Sequence, residues 1–254
     1  MNILVANDDG IRSEGIYRLV ETLSKEADVY VAAPHIQRSA SGHSISVGAP
    51  LEISEVVFDN AKMALEITGT PADCVKLGVK ELERRGIVID MVFSGINHGG
   101  NLGTDTLYSG TVSAAIEGCI CKKPSVAVSV NSHSPMHFEL ACELALSTCK
   151  KAYGRLDCHS LISINVPNLP KAEVKGVKYA KLGDREYKEW FEPKVNEAGT
   201  LQYWYSGEPV FYEGQDSSID VIAMQEGYAV ITPLHYDLTD FNLLDEIKNW
   251  RIDE

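Results

Sequence analysis

Long apolar runs are missing from this chain. No stretch approaches the roughly 18 residues that a membrane-spanning helix requires. Basic residues are in deficit, with 23 Lys and Arg against 36 Asp and Glu and a net charge of −13. So acidic a chain has no field for a nonspecific grip on phosphate backbones, and nucleic acid is not an expected partner. A phosphorylated small molecule would need positive charge gathered locally, and a bound cation can supply it. The six cysteines contain no CxxC pair, and several sit in apolar, helix-like runs. They are expected to be free thiols in a reducing cytoplasm. The first nine residues have no basic region, and their apolar run halts at two carboxylates, so no signal peptide fits and a cytoplasmic location is expected. There is no internal repeat and no flexible linker. Also absent are a Walker A sequence, a GxSxG elbow and a completed GxGxxG, which weakens the kinase, serine-hydrolase and dehydrogenase readings.

What is present is ordinary globular composition: 254 residues, 44% apolar and 23% charged, with twenty Gly and ten Pro. That length is ample for the core of one large α/β domain. Residues 3–6 form an apolar run without helical period, ending in Asn-Asp-Asp-Gly, which reads as a buried strand and a polar turn. Ile16, Leu19, Val20 and Leu23 then recur at helical spacing. Residues 29–33 read as a second strand, and 51–58 with 63–68 as a hairpin inserted into the winding. Pro71 opens a helix through Val75, Val79 and Leu82. Strands at 90–93, 125–130 and 161–166 alternate with helices at 110–121 and 138–152. This alternation predicts an α/β fold with a parallel sheet covered on both faces.

After residue 170 the rhythm changes. Up to about Asp220 the chain is strand-like with no clear helix, and eight of its twenty aromatics fall between Tyr187 and Tyr212. Packing of these rings against their own domain or a second subunit is the expectation, over a set of stacking platforms for a base. Residues 227–233 read as one more strand. Phe241, Leu244, Ile247 and Trp250 form a closing amphipathic helix.

In an open parallel sheet, ligands sit at the carboxyl ends of the strands near the topological switch point. The first strand delivers Asp8 and Asp9 there. Adjacent carboxylates repel unless a cation or shared proton offsets them, and one Asp would suffice to cap the next helix, so the pair points to metal. After the second strand, the hydroxyl-rich loop holds Arg38, which can face a phosphate, and Ser39, which can ligate a metal. After the 90–93 strand, Ser94-Gly95-Ile96-Asn97-His98-Gly99-Gly100-Asn101-Leu102-Gly103 reads as a glycine-rich loop brought close to a ligand. Tyr108-Ser109-Gly110-Thr111 opens the next helix, with N–H groups and the positive dipole end facing an anion. Thr68-Gly69-Thr70-Pro71-Ala72-Asp73 reads as a structural turn. His133 and His137, four residues apart without a third ligand, read as surface residues. His98 and His43 are better placed for acid–base work.

These loops, together with Gly69-Thr70-Pro71-Ala72-Asp73-Cys74-Val75, Asn165-Val166-Pro167, Glu226-Gly227-Tyr228 and Ile231-Thr232-Pro233-Leu234, resemble the survival protein SurE family of nucleotidases, in order and over nearly the whole chain. Where that family has Gly-Thr-Asp, this chain has Ser218-Ile219-Asp220, and residues 184–192 match loosely. The resemblance implies a single domain over 1–254 with a Rossmann-like three-layer core (1–170). Residues 171–254 would supply a β-rich oligomerisation arm, a final strand and a C-terminal helix, giving a homodimer or homotetramer. It implies a 5′-nucleotidase acting on nucleoside monophosphates, with 3′-phosphates and short polyphosphates open as further substrates.

By motif position the resemblance assigns metal ligation to Asp8, Asp9, Ser39 and Asn97, and phosphate contacts to Asn101, Ser109, Gly110 and Thr111. Four oxygen ligands suit one Mg²⁺ or Mn²⁺ ion per subunit better than Zn²⁺. Asp8 and Asp9 are the catalytic candidates, with Asp9 as base or orienter of water and Asp8 as the firmer ligand. Direct attack by Asp8, giving an aspartyl-phosphate, is the alternative. A non-catalytic, metal-dependent nucleotide-binding regulator is the rival function, since a fold alone does not exclude it.

Overall fold

In the computed structural model of the protein, which describes residues 1–134, 136–210 and 216–252 (backbone alone at Glu189 and Trp190), strand β1 (Asn2–Ala6) is the buried axis. Ile3, Leu4, Val5 and Ala6 all have zero exposure. Successive side chains of a strand point to opposite faces, so these four residues feed two separate cores. Ile3 and Val5 join Ile16, Leu19 and Leu23 on one face; Leu4 and Ala6 join Val75, Val79 and Leu82 on the other.

The chain continues through α1 (Glu14–Leu23), β2 (Asp28–Pro34) and the antiparallel pair β3 (Ile53–Val56) and β4 (Met63–Ile67). Then come α2 (Pro71–Arg84), β5 (Met91–His98), α3 (Gly110–Ile120), β6 (Ser125–Asn131), α4 (Glu139–Ala152) and β7 (Ser160–Pro167). After β8 (Val177–Tyr179) the hairpin β9 (Tyr187–Val195) and β10 (Leu201–Pro209) forms its own two-stranded sheet. The chain ends with α5 (Asp220–Gln225), β11 (Ala229–His235) and α6 (Phe241–Ile247).

The main sheet runs β3-β4-β2-β1-β5-β6-β7-β11-β8. It is parallel from β4 to β7, while β3 and β11 run antiparallel to their neighbours β4 and β7. Helix α1 packs beside α4, and α2 beside α3. These helix pairs serve the two cores, giving the three expected layers. From β1 the chain winds out to β4 and returns to β5 on the other side, so the order reverses between β1 and β5.

Two elements differ from the sequence reading. Strand β5 runs on to His98, so Ser94, Gly95, Ile96 and Asn97 belong to the sheet rather than to a loop. Its register on β6 shifts between Ser94 and Asn97, where Gly95 has φ +134°. Helix α5 lies where no helix was expected; it is one and a half turns long, too short for a periodic signal.

Four rings of the β9–β10 hairpin, Phe191, Tyr203, Trp204 and Tyr205, are each about 60% exposed, so they are not buried against their own domain as the first of the two packing alternatives required. The Trp190 side chain, Phe211 and Tyr212 lie outside the described residues. None of α6 is buried either, and its Phe241 and Leu244 face outward. All six cysteines are free, and among the described residues no helix is long and apolar enough to cross a membrane.

The contact that locks α1 onto β5 is unusually close. A Cβ on Gly15 would stand 1.9 Å from the Ile96 carbonyl oxygen, and that oxygen belongs to backbone that cannot turn aside. Gly15→Ala is therefore expected to destabilise the protein by about 3 kcal/mol through overpacking, read from denaturant unfolding midpoints. An unchanged midpoint would contradict this packing.

Candidate active site at the carboxyl edge of the sheet

The reversal of strand order places the ends of β1 and β5 side by side, and the site is built there. A cleft of about 450 Å³ is lined by Asp8, Ser39, Asn97, Asn101 and Ser109, with Gln37, His98, Asp105 and His133 also in its wall. Of the eight residues singled out by the resemblance, five thus line one cleft. The other three, Asp9, Gly110 and Thr111, are tied to it by contact.

Asp8 is buried, 5% exposed at the end of β1. The Thr111 hydroxyl donates to its Oδ1 at 2.5 Å. Its backbone carbonyl accepts the Arg38 N–H at 2.7 Å, which ties the loop after β2 to the end of β1. Helix α3 begins against the same carboxylate. A Cβ on Gly110 would stand 2.8 Å from Asp8 Cβ and 2.9 Å from its Oδ2, so only glycine lets the helix start come this near. That same point is 2.9 Å from Ser41 Oγ, a buried hydroxyl with no hydrogen-bond partner among the described residues. Ser109 caps α3 by accepting the Val112 N–H at 3.0 Å.

Asp9 is held at both oxygens. Oδ2 accepts the His98 backbone N–H at 2.9 Å, and Oδ1 accepts from Gln37 Nε2 at 3.3 Å. Gln37 Nε2 also donates to Ser39 Oγ at 2.9 Å, so one amide spans two of the expected metal ligands. Asn97 gives its Nδ2 to the Gly99 carbonyl at 2.8 Å, which leaves its Oδ1 as the atom to offer a cation. Asn101 is locked by Ser129, which accepts from its Nδ2 at 2.8 Å, and by Asn165, whose Oδ1 accepts its backbone N–H at 2.8 Å.

Burial pushes the Asp8 carboxyl up to about 6; the Thr111 hydroxyl opposes the rise and the Asp9 charge adds to it. Asp9 is raised as well, again mainly by burial, against the His98 N–H, the nearby His98 and His133 rings and Gln37. An anionic pair raised by enclosure is relieved by a cation, and this donor set of two carboxylates, a hydroxyl and an amide oxygen fits a hard divalent ion. Among the described residues, no three His, Cys, Asp or Glu side chains gather into a metal cluster.

Three sequence expectations shift. His43 is not at the cleft: its Nε2 lies 2.9 Å from Oε2 of Glu117, a buried carboxylate in α3 whose other oxygen is 2.8 Å from Lys76 Nζ. Burial raises Glu117, but the bonds from His43 and Lys76 outweigh it and hold the group below its usual range. His133 is exposed as expected, yet it stands in the cleft wall, while His137 does not. Arg38 does not line the cleft, and its Nε is buried without a hydrogen-bond partner among the described residues. The turn at Thr70 is structural as read: Thr70 and Asp73 form a reciprocal capping box at the start of α2. Gln37 and Asp105 were not singled out in the sequence, because no local spacing marks them.

Burial holds the Asp8 carboxyl well above its ordinary range in the metal-free protein. Its ordinary value is 3.8, so folding without metal favours the protonated form. That contribution is intact below about pH 4 and is lost as pH rises through about 6. In EDTA, Asp8→Asn is expected to be more stable than the parent by up to about 3 kcal/mol at pH 8. The difference should vanish near pH 4 in denaturant unfolding. A difference independent of pH would contradict the assignment.

A family model described as survival protein SurE matches residues 3–189. The chain is 42% identical over 255 residues to 5′-nucleotidase SurE of Petrotoga mobilis, covering 98% of this chain and 99% of that protein. It is 43% identical over 249 residues to 5′-nucleotidase SurE of Pelotomaculum thermopropionicum, covering 98% and 94%. The crystal structure of the SurE protein from Aquifex aeolicus aligns with a TM-score of 0.83 at 36% identity, over 98% of this chain and 99% of that one. The chain belongs to the survival protein SurE family.

Proposed function

We propose that this protein is a divalent-metal-dependent 5′-nucleotidase that hydrolyses nucleoside monophosphates to nucleoside and phosphate. The observation that carries the reading is the packing of buried Asp8, paired with its neighbour Asp9, against the glycine start of α3, in one cleft with neutral oxygen and amide groups. Two carboxylates beside a phosphate repel it unless a cation intervenes, whereas a helix N-terminus attracts it. The 5′-nucleotidase relatives, similar over nearly the full chain, support the same reading.

Asp8, Asp9, Ser39 and Asn97 would hold one Mg²⁺ or Mn²⁺ ion per subunit, which supplies charge neutralisation at the phosphoryl oxygens and activation of water. The protein's own groups do the rest. The free N–H groups at the start of α3, with Ser109 and Thr111, face the equatorial oxygens as charge spreads over them. Ser41, with its unpartnered hydroxyl at the same point, is a further donor to that anion. Asp9, fixed at both oxygens by His98 and Gln37, orients the attacking water and accepts its proton. Asn101, clamped by Ser129 and Asn165, meets the phosphate without adding charge.

The exposed aromatic hairpin and the unburied apolar stripe of α6 support assembly into a homodimer or homotetramer. The free cysteines fit a cytoplasmic setting. Light scattering is expected to return a dimer or tetramer mass; a monomer would overturn the assembly reading.

The activity test is phosphate release from a panel of nucleoside 5′-monophosphates with Mn²⁺, with Mg²⁺ and with EDTA. Release abolished by EDTA and restored by the ion is expected. Asp8→Asn and Asp9→Asn should each lower kcat/KM by roughly a thousandfold or more, and Ser39→Ala by about tenfold. Release indifferent to EDTA would overturn the metal reading, and metal-dependent nucleotide binding without release would leave a regulator. Acid-quenched enzyme should carry no labelled phosphate; a stable adduct on Asp8 would replace the water mechanism with direct attack.

A further inference from the structure

The cleft holds a third carboxylate outside the expected metal set. A 3-10 turn (Gly103–Leu107) leads from β5 to α3 and places Asp105 in the wall shared with Asp8, Ser39 and Ser109. Beside a phosphate such a group is unfavourable unless balanced, and the balance comes from the arm. Arg185 Nε lies 3.1 Å from Asp105 Oδ2, and the Tyr187 hydroxyl donates to the same Oδ2 at 2.5 Å. Oδ1 receives no hydrogen bond from the described residues, and the Asp105 side chain keeps 23% of its surface exposed.

The turn that carries this carboxylate is firmly held. Buried Asp220 accepts the Gly103 N–H at 2.7 Å with Oδ2, and the Gly183 and Val221 N–H groups at 2.9 and 2.8 Å with Oδ1. The Thr104 hydroxyl donates to the Arg185 carbonyl at 3.1 Å, and the Thr106 hydroxyl to the Gly103 carbonyl at 2.8 Å. Asp105, a lining residue of the cleft, is thus anchored through one oxygen, while the other accepts nothing from the described residues.

A carboxylate presented this way accepts hydrogen bonds from hydroxyl groups and repels a second phosphoryl group. In a nucleoside monophosphate, the neutral hydroxyls beyond the 5′-phosphate are the ribose 2′ and 3′ groups, and an acidic side chain on a ribose hydroxyl is an established pairing elsewhere. We propose that Asp105 is the residue by which this cleft recognises the ribose of its substrate, with Arg185 and Tyr187 as positioning residues supplied by the arm. The assignment rests on the nucleotidase reading. It makes the base of the arm part of substrate selection as well as of assembly.

The test compares kcat/KM for a ribonucleoside 5′-monophosphate and its 2′,3′-dideoxy counterpart. Losing hydrogen bonds to a charged acceptor is costly, so the parent enzyme is expected to prefer the ribonucleotide by about tenfold or more. Asp105→Ala should bring the two substrates within about twofold of each other. Tyr187→Phe should narrow the preference about threefold, mainly through KM. Should Asp105→Ala fail to fold, Asp105→Asn keeps the volume and is expected to narrow the preference at least threefold. A parent enzyme without preference, or variants that lose activity on both substrates equally with the ratio intact, would overturn the proposal and leave Asp105 a structural link. Failure of the parent to release phosphate from either substrate would instead overturn the nucleotidase reading, and the role of Asp105 with it.

Discussion

Asp8 and Asp9 repel one another at the end of a strand whose apolar residues are wholly buried, and the surrounding structure is arranged around containing that repulsion. A buried pair of like charges survives only if charge or hydrogen bonds reach it. Thr111 answers for Asp8, and the His98 N–H and Gln37 for Asp9. The start of α3 supplies a partial positive charge within contact of Asp8, and glycine at 110 is what permits that distance. What these groups leave uncompensated is a demand for a cation, and the oxygens of Ser39 and Asn97 stand in the same cleft.

The sheet topology explains why those groups meet. β1 and β5 are neighbours in the sheet but are separated by the whole β2–β4 excursion, so their ends diverge in connection and converge in space. Gly15 lets α1 close against Ile96, and the register shift in β5 turns Asn97 and His98 toward the site. The arm then reaches back: Asp220 and Arg185 both bind the turn between β5 and α3, eighty or more residues before them. Through this link, changes at the arm are felt at the cleft.

Most of the core was legible because burial imposes a period. The all-apolar run of β1 and the helical spacing of Ile16, Leu19, Val20 and Leu23 announce a covered strand and a packed helix. Strand β5 was read too short, since its last residues are polar; they are polar because they end at the ligand edge, not because they leave the sheet. Helix α5 was missed because six residues give no period. Within the site, the Asp8–Asp9 pair and Ser39 were readable as metal candidates from their place after strands, while the full ligand set with Asn97 came from the family resemblance. Asp105 could not, as its partners lie some eighty residues away, and His43 was misjudged for the same reason, its partner Glu117 being on another element.

On the proposed reading, enclosure of the Asp8–Asp9 pair creates the metal site. Calorimetric titration of Mn²⁺ into metal-free protein between pH 5 and 8, in buffers of different ionisation enthalpy, tests it most directly. Because burial raises Asp8 to about 6, affinity should tighten as pH rises through 6, with proton release that fades above pH 7. Binding of unchanged affinity and no proton release across that range would contradict it.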